Sequence, residues 1–488
     1  MVTRVTPATP PCRRSTRKAI TMGPEWIAII ALVALFVVGT VLPINMGALA
    51  YVAAWLVGMY SLGLDEKEIL AGISADLVLT LIGVTYLFAI ARQNGTVDLI
   101  VRTAVASVGG RVALIPWVMF AVTAVITAIG AASPAACAII GPIALGFAGR
   151  YGISPLMMGM FVVHGAQAGG FSPISIYGTI TNSVMEDAGL GASHLTIFFS
   201  SLVVNTVMAA ILFIVLGGRR LMKLRMDGDG GLVEAGATSR ATAGTTAGAG
   251  TGGPTGGGAT ATRVHPDRSD ARSATGATPT TGTPNPEDTG TTLEHVLTLL
   301  AFLAVAVVAL AFDKNIGFAA ITAAVVLSIL TPKAYKDTVK QIAWPTVLLV
   351  AGVSTYATIL TTAGSPEFVG KWAAGLGAVA IGALILCYVG GIVSAFASST
   401  ALLPVIIPIA IPLVAEGGLS AGFFVAALAV SSTIVDVSPF STNGALMLAN
   451  RPDTIDESTY YKQILTYATI VTLVGPLLVW AALVAPGW

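Results

Sequence analysis

The chain has 488 residues, of which 55% are apolar and only 10% charged, a balance too poor in polar groups for a soluble protein of this length. Its net charge of +1 leaves no basic stripe for a nucleic acid, so no nucleic-acid partner is expected. These numbers predict an integral membrane protein whose first partner is the lipid bilayer.

Residues 1–21 are polar and basic and are read as an N-terminal extension ahead of a translation start at Met22. A first transmembrane repeat is predicted over 22–225. Its spans lie near 24–43, 46–63 and 77–92, and an amphipathic stretch follows near 96–109; runs such as 26–42 approach the roughly 20 apolar residues that cross a bilayer. Residues 111–150 form a hydrophobic segment interrupted by Ala131-Ala132-Ser133-Pro134, predicted to be a re-entrant helical hairpin. A span broken at 169–175 and a last span near 195–216 complete the half. Residues 226–291, built mostly of Gly, Ala, Thr, Ser, Pro, Asp and Arg, bury too little surface to fold and are predicted to be a disordered linker. A second transmembrane repeat occupies 292–488. Cys12, Cys137 and Cys387 are too scattered for a disulfide framework or a metal motif, and the latter two are read as small buried side chains.

The second repeat copies the first. Ser172-Pro173-Ile174-Ser175-Ile176-Tyr177-Gly178 returns 266 residues later (172 to 438) as Ser438-Pro439-Phe440-Ser441-Thr442-Asn443-Gly444. The same offset aligns 131–144 with 397–410, pairing Ser133 with Ser399. Upstream, Asn45-Met46-Gly47 answers Asn315-Ile316-Gly317, and Gly83-Val84-Thr85 answers Gly352-Val353-Ser354. Paired, Gly/Pro-broken hydrophobic segments in two halves are the mark of a secondary transporter. With about five crossings and one hairpin per half, an odd number, the second repeat must lie inverted. The expected fold is an all-α polytopic membrane protein of two inverted repeats, each with a re-entrant hairpin and a broken helix.

Charge distribution orients it in the cell (inner or plasma) membrane. If the first span starts outside, the cytoplasmic connections carry Arg92, Arg102, Arg111, Arg150, Arg219, Arg220, Lys223, Arg225, Lys333, Lys336, Lys340, Arg451 and Lys462, against Lys67, Lys314 and Lys371 outside. The linker is then cytoplasmic and both termini lie outside. The basic residues of 1–21 oppose that placement, which is why the start is read at Met22.

Four breaks are the candidate site, because backbone groups freed inside a membrane survive only in protein or beside a wet cavity. The hairpin tips are Ala132-Ser133-Pro134 and Ser398-Ser399-Thr400, each opening a helix whose free N–H groups suit an anion. The broken spans offer Gly169, Gly170, Ser172 and Ser175 in one half and Asp436, Ser438, Ser441, Thr442 and Asn443 in the other. Their oxygens suit a cation such as sodium, and their hydroxyl and amide donors suit carboxylates. Asp436 is the one acid placed at a break, where a charge costs about 2.5–3.5 kcal/mol, so it is expected to line the cavity as cation ligand, as proton acceptor, or satisfied by neighbouring amides. His164 is a second titratable candidate, read more readily as structural. No Arg or Lys stands at a break, which favours small carboxylates over phosphates.

Ile115-Pro116-Trp117-Val118-Met119-Phe120, the run His164-Gly165-Ala166-Gln167-Ala168-Gly169-Gly170-Phe171-Ser172-Pro173-Ile174-Ser175-Ile176-Tyr177-Gly178, the pair Thr181-Asn182 and the opening Pro43-Ile44-Asn45-Met46-Gly47-Ala48-Leu49-Ala50 resemble the bacterial malonate/dicarboxylate carrier family. The second half is similar in plan to the wider ion transporter superfamily, with its divalent anion/sodium symporters and citrate carriers. The resemblance adds Thr181 and Asn182 to the site. In the symporters each tip resembles Ser-Asn-Thr; Ser398-Ser399-Thr400 keeps the outer residues of that pattern and Ala132-Ser133-Pro134 departs from it. It implies uptake of a small di- or tricarboxylate, malonate or a four-carbon acid foremost, with citrate or another organic anion as the alternative. It also implies a scaffold that stays fixed or forms a homodimer while the hairpin-bearing portion shifts, in elevator fashion. No cofactor is expected; the coupling ion is sodium or a proton, and the sequence leaves both open.

Enzyme activity is not expected. Ser172 has no base at helical spacing with an acid to orient it, and no Gly-rich phosphate loop is present for ATP-driven transport. A channel is the nearest rival, since re-entrant segments also build selectivity filters.

Overall fold

The computed structural model describes residues 23–42, 44–226, 232–234, 293–312, 314–332, 334–374, 379–395, 398–452 and 454–487. The N-terminal extension and nearly all of the predicted linker lie outside the described residues. The exception is a short ribbon in which β1 (Leu224–Met226), at the end of the first repeat, pairs antiparallel with β2 (Leu232–Glu234), which falls in the segment read as linker.

The first half opens with α1 (Pro24–Val41), α2 (Met46–Val57, continued by a π-helical turn Gly58–Leu62) and the short α3 (Glu66–Ala71). Then come α4 (Ala75–Gln93) and the amphipathic α5 (Thr96–Ala106). The predicted hairpin is α6 (Leu114–Ala128) and α7 (Ser133–Tyr151); the broken span is α8 (Pro155–Gly169) and α9 (Ile176–Asp187). α10 (His194–Val215) and α11 (Gly218–Leu221) close the half. The second half repeats the plan: α12 (Leu293–Phe312), α13 (Ile316–Leu330), α14 (Trp344–Thr362) and α15 (Ser365–Ala374). Its hairpin is α16 (Val379–Ser394) and α17 (Ser399–Gly417), its broken span α18 (Ala421–Ile434) and α19 (Thr442–Ala449), and its last helix α20 (Glu457–Leu483).

Among the described residues, α1, α4, α7, α10, α12, α14 and α20 are long and apolar enough to cross a membrane. Large apolar side chains such as Val33, Val203, Leu303 and Leu473 point outward, as lipid contact requires. α6 and α16, of 15 and 16 residues, reach about 22–24 Å, and each packs on the helix that follows it, α7 or α17, as one arm of a hairpin.

Local signals set the starts. The Asn45 side chain accepts from Gly47 N and Ala48 N to cap α2, and Asn315 accepts from Phe318 N to cap α13. The same two amides tie the halves together: Asn45 Nδ2 donates to the Pro345 carbonyl at 3.1 Å, and Asn315 Nδ2 donates to Asp76.

The halves exchange partners about an approximate two-fold. α2 packs on α14 and α4 on α13; likewise α7 meets α19 and α9 meets α17, while α10 meets α18. Glycines allow the first two crossings. A Cβ on Gly83 would lie 2.7 Å from the Gly317 carbonyl and one on Gly317 would lie 2.7 Å from the Thr80 nitrogen; at the other crossing a Cβ on Gly352 would strike the Gly47 carbonyl and one on Gly47 the Leu348 carbonyl. Backbone contact this close admits no side chain. These four helices, with α1 and α12, make a frame; α6–α10 and α16–α20 make the body that carries the hairpins and breaks, and it joins the frame through α4·α9 and α14·α17.

Candidate functional site

Each break is shaped by glycine and serine. Gly178 and Gly444, which correspond in the two halves, lie directly against the carbonyls of Ser172 and Ser438, so the chain folds back tightly before α9 and α19 begin. Ser175 caps α9 by accepting from Gly178 N and donates to the Ser172 carbonyl at 2.7 Å. Ser441 donates to the Ser438 carbonyl at 2.7 Å but makes no cap on α19. At the first tip Gly130, with φ of +107°, turns the chain where a Cβ would strike Val84 of α4. The residues preceding α7 and α17, Ala132 and Ser398, give no side-chain cap, so the first-turn N–H groups of both helices lack that partner.

The first tip meets the second break. Asn443 Nδ2 donates to Asp436 Oδ2 and to Ser133 Oγ, both at 2.8 Å, and Asn443 N donates to Asp436 Oδ1 at 3.3 Å. Asp436 and Asn443 are 4% and 0% exposed, and Asn443 Oδ1 has no hydrogen-bond partner among the described residues. Tyr177, at the start of α9, lies with its hydroxyl by Thr400 of the second tip and Ser133 of the first. Two tips and two breaks therefore converge. A cavity of about 360 Å³, lined by Thr40, Asn45, Thr346, Ser398, Ser441 and Thr442, lies between frame and body and is bounded by the start of the second tip and the end of the second break.

Residues 22–170 match the family model of the dicarboxylate carrier protein MatC N-terminus, and residues 307–486 match the citrate transporter model. Both halves match carrier families. The two belong to the divalent anion/ion transporter group, and no curated protein matches the chain significantly. The chain is thus a polytopic helical membrane protein assembled from two carrier halves.

In this carrier the predicted site residues divide into distinct sets. Asn443 bonds both Ser133 and Asp436, and Thr400 lies by the Tyr177 hydroxyl. Pro134 is half-buried in the first turn of α7, and Ser398, Ser441 and Thr442 line the cavity, Thr442 being exposed. Ser399 is turned to its own half: its hydroxyl lies 2.7 Å from Ser394 Oγ and donates to the Ser432 carbonyl at 3.3 Å. The positions matching Ser394 and Ser432 in the first half are Ala128 and Ala166, which leaves the Ser133 hydroxyl to Asn443. Ser172 donates to the Ala128 carbonyl at 2.5 Å, Ser175 caps, and Ser438 accepts from Phe440 N at 3.1 Å, so these three hold the breaks in shape. Gly169 and Gly170 are buried, Gly169 against the Ala124 carbonyl of α6.

Asn182 donates to the Gly178 carbonyl and accepts from Ser193 N, both at 2.8 Å, and Thr181 is buried beside it on α9. Neither is bonded to the Asp436 cluster. His164 is fully buried, with Nδ1 2.8 Å from Asn205 Oδ1 and Nε2 2.6 Å from the Tyr467 hydroxyl, so it ties α8 to α10 and α20 away from the breaks. Tyr177 was not among the predicted site residues. Its signal was present in the repeat, where it occupies the position of Asn443.

Proposed function

We propose that this chain is a secondary active carrier of small di- or tricarboxylates, malonate or a four-carbon dicarboxylate first, working by cation symport in the cell membrane. The observation that carries the reading is the buried Asp436–Asn443–Ser133 cluster, where one half's hairpin tip closes on the other half's break and leaves Asn443 Oδ1 without a partner among the described residues. A buried amide oxygen needs a donor or a cation, and the adjoining carboxylate makes a cation the better guest. Substrate carboxylates find the first-turn N–H groups of α7, α17 and α19, with Tyr177, Ser398 and Thr400 as further donors.

Coupling follows from electrostatics. Moving a bare carboxylate at membrane depth costs about 2.5–3.5 kcal/mol, so a site with Asp436 unneutralised crosses roughly a hundredfold less readily than one holding its cation or proton. On the charge-derived orientation, with both termini outside and the linker cytoplasmic, the cavity beside Ser398, Ser441 and Thr442 opens inward. Its outer counterpart, about 310 Å³ beside Thr179, Asn182 and Ser183, stops along α9 short of the break. The hairpin-bearing body then shifts against a frame that serves as the dimer support.

Citrate is the second reading, favoured by the citrate transporter match over 307–486. The test is uptake of radiolabelled malonate, succinate and citrate into proteoliposomes with sodium and proton gradients imposed separately. Saturable, gradient-driven uptake with trans-stimulation is expected, and Asp436→Asn should abolish its dependence on the gradient. Non-saturating, purely voltage-driven flux would make the protein a channel, and no uptake of any of the three would overturn the substrate class.

A further inference from the structure

The repeat is exact enough to compare the two breaks residue by residue, and they differ where ion chemistry matters. Asp436 corresponds to Gly170, and Asn443 to Tyr177. In the second break the carboxylate and the amide bond each other and reach Ser133. In the first, Gly170 has no side chain, and a Cβ added there would lie 2.9 Å from Tyr177 Cδ2 and 3.0 Å from the Ala166 carbonyl. The tyrosine ring thus fills the volume from which a carboxylate would emerge. The first break's serines are also committed: Ser172 to the Ala128 carbonyl and Ser175 to its own turn. Ser399, the mirror of Ser133, is bonded to Ser394 and to the Ser432 carbonyl and brings no oxygen across to Tyr177.

We infer that the carrier holds a single coupling-cation site, formed by Asp436, Asn443 and Ser133, and that Tyr177 over Gly170 closes the mirror-image site. This rests on the cation-symport reading above and deepens it. The second break supplies a fully buried amide oxygen with no partner among the described residues, beside a carboxylate; the first supplies an aromatic face and a phenol lying by Ser133 and Thr400. Tyr177 therefore acts as a donor to substrate at the tips while excluding a second cation. One cation per turnover makes uptake of a singly charged acid electroneutral and uptake of a dianion move one negative charge.

The test is the gradient at which net flux vanishes, in proteoliposomes clamped at zero potential with potassium and valinomycin, using whichever cation drives uptake. With one cation, a tenfold substrate gradient is balanced by a tenfold cation gradient; with two, by about threefold. Tenfold is expected for the unaltered protein, and threefold would overturn the inference while leaving the carrier reading intact. Saturable uptake indifferent to both cations would also overturn it, whereas absence of any uptake would count against the function itself. The paired change Gly170→Asp with Tyr177→Asn rebuilds the second break's chemistry in the first, and its balance point should move from tenfold toward threefold. A variant that transports and stays at tenfold would show that Tyr177 and Gly170 do not close the mirror site. Tyr177→Phe, which keeps the ring, should stay at tenfold and raise the substrate KM.

Discussion

Asn443 is the side chain on which the two halves of the site meet, because one amide nitrogen serves both Asp436 and Ser133. A hydrogen bond to a charged group contributes about 1.5–3 kcal/mol, so Asn443→Ala should raise the cation concentration for half-maximal uptake roughly ten- to hundredfold. Membrane insertion should not change. An unaltered cation dependence in reconstituted vesicles would remove Asn443 from the site. Asp436 was legible in the sequence because a charge inside an apolar run stands out. Its contact with Ser133 was not, since the two lie in different halves and neighbours decide which serine is available. Ser399 finds Ser394 and the Ser432 carbonyl; Ser133 has alanines at the matching places and turns to Asn443. Tyr177 escaped for a related reason: an aromatic residue in a buried segment reads as packing until its hydroxyl is seen between two hairpin tips.

At the scale of elements, the helices were readable from apolar runs, and the four breaks from the Gly, Ser and Pro that interrupt them. What the runs could not give was which helix touches which, because an apolar surface is as content against lipid as against protein. The glycines carry that information. Gly83→Val would drive a branched side chain into the Gly317 backbone, and overpacking of this kind costs about 1–3 kcal/mol. The apparent melting temperature in detergent should fall by roughly 2–5 °C. Gly146→Ala on α7, where an added Cβ meets nothing within 4 Å, should leave it unchanged or slightly raised. Equal effects from both would mean that the frame crossing is looser than it stands here. The His164 link is another element-scale feature that spacing alone left undecided, as its partners come from α10 and α20.

Across the whole molecule, the frame and the hairpin-bearing body touch at few polar points. One is outside the breaks, where Ser183 Oγ of α9 donates to Asp76 Oδ2 of α4 at 3.3 Å. If the body shifts against the frame, bridging these positions should arrest it. Asp76→Cys with Ser183→Cys, treated with mercuric ion, should lose nearly all uptake and regain it with excess thiol, while either single variant is indifferent to mercury. Of the native cysteines, Cys137 and Cys387 are buried, and Cys12 is replaced by serine throughout so that it adds no thiol. Retained uptake in the bridged protein would exclude a sliding body. The exchange of helices between the halves also bears on how the protein is made. A ribosome that has completed α10 has delivered α2 and α4 without the helices they pack against, since α13 and α14 have yet to be synthesised. At roughly 5–20 residues per second, Gly47 and Gly83 wait on the order of ten to sixty seconds for their counterparts. Their bare backbone stripes must be sheltered by lipid or by the insertion machinery until then. Neither half is therefore expected to mature alone, and two half-chains supplied separately should rescue each other only when made together.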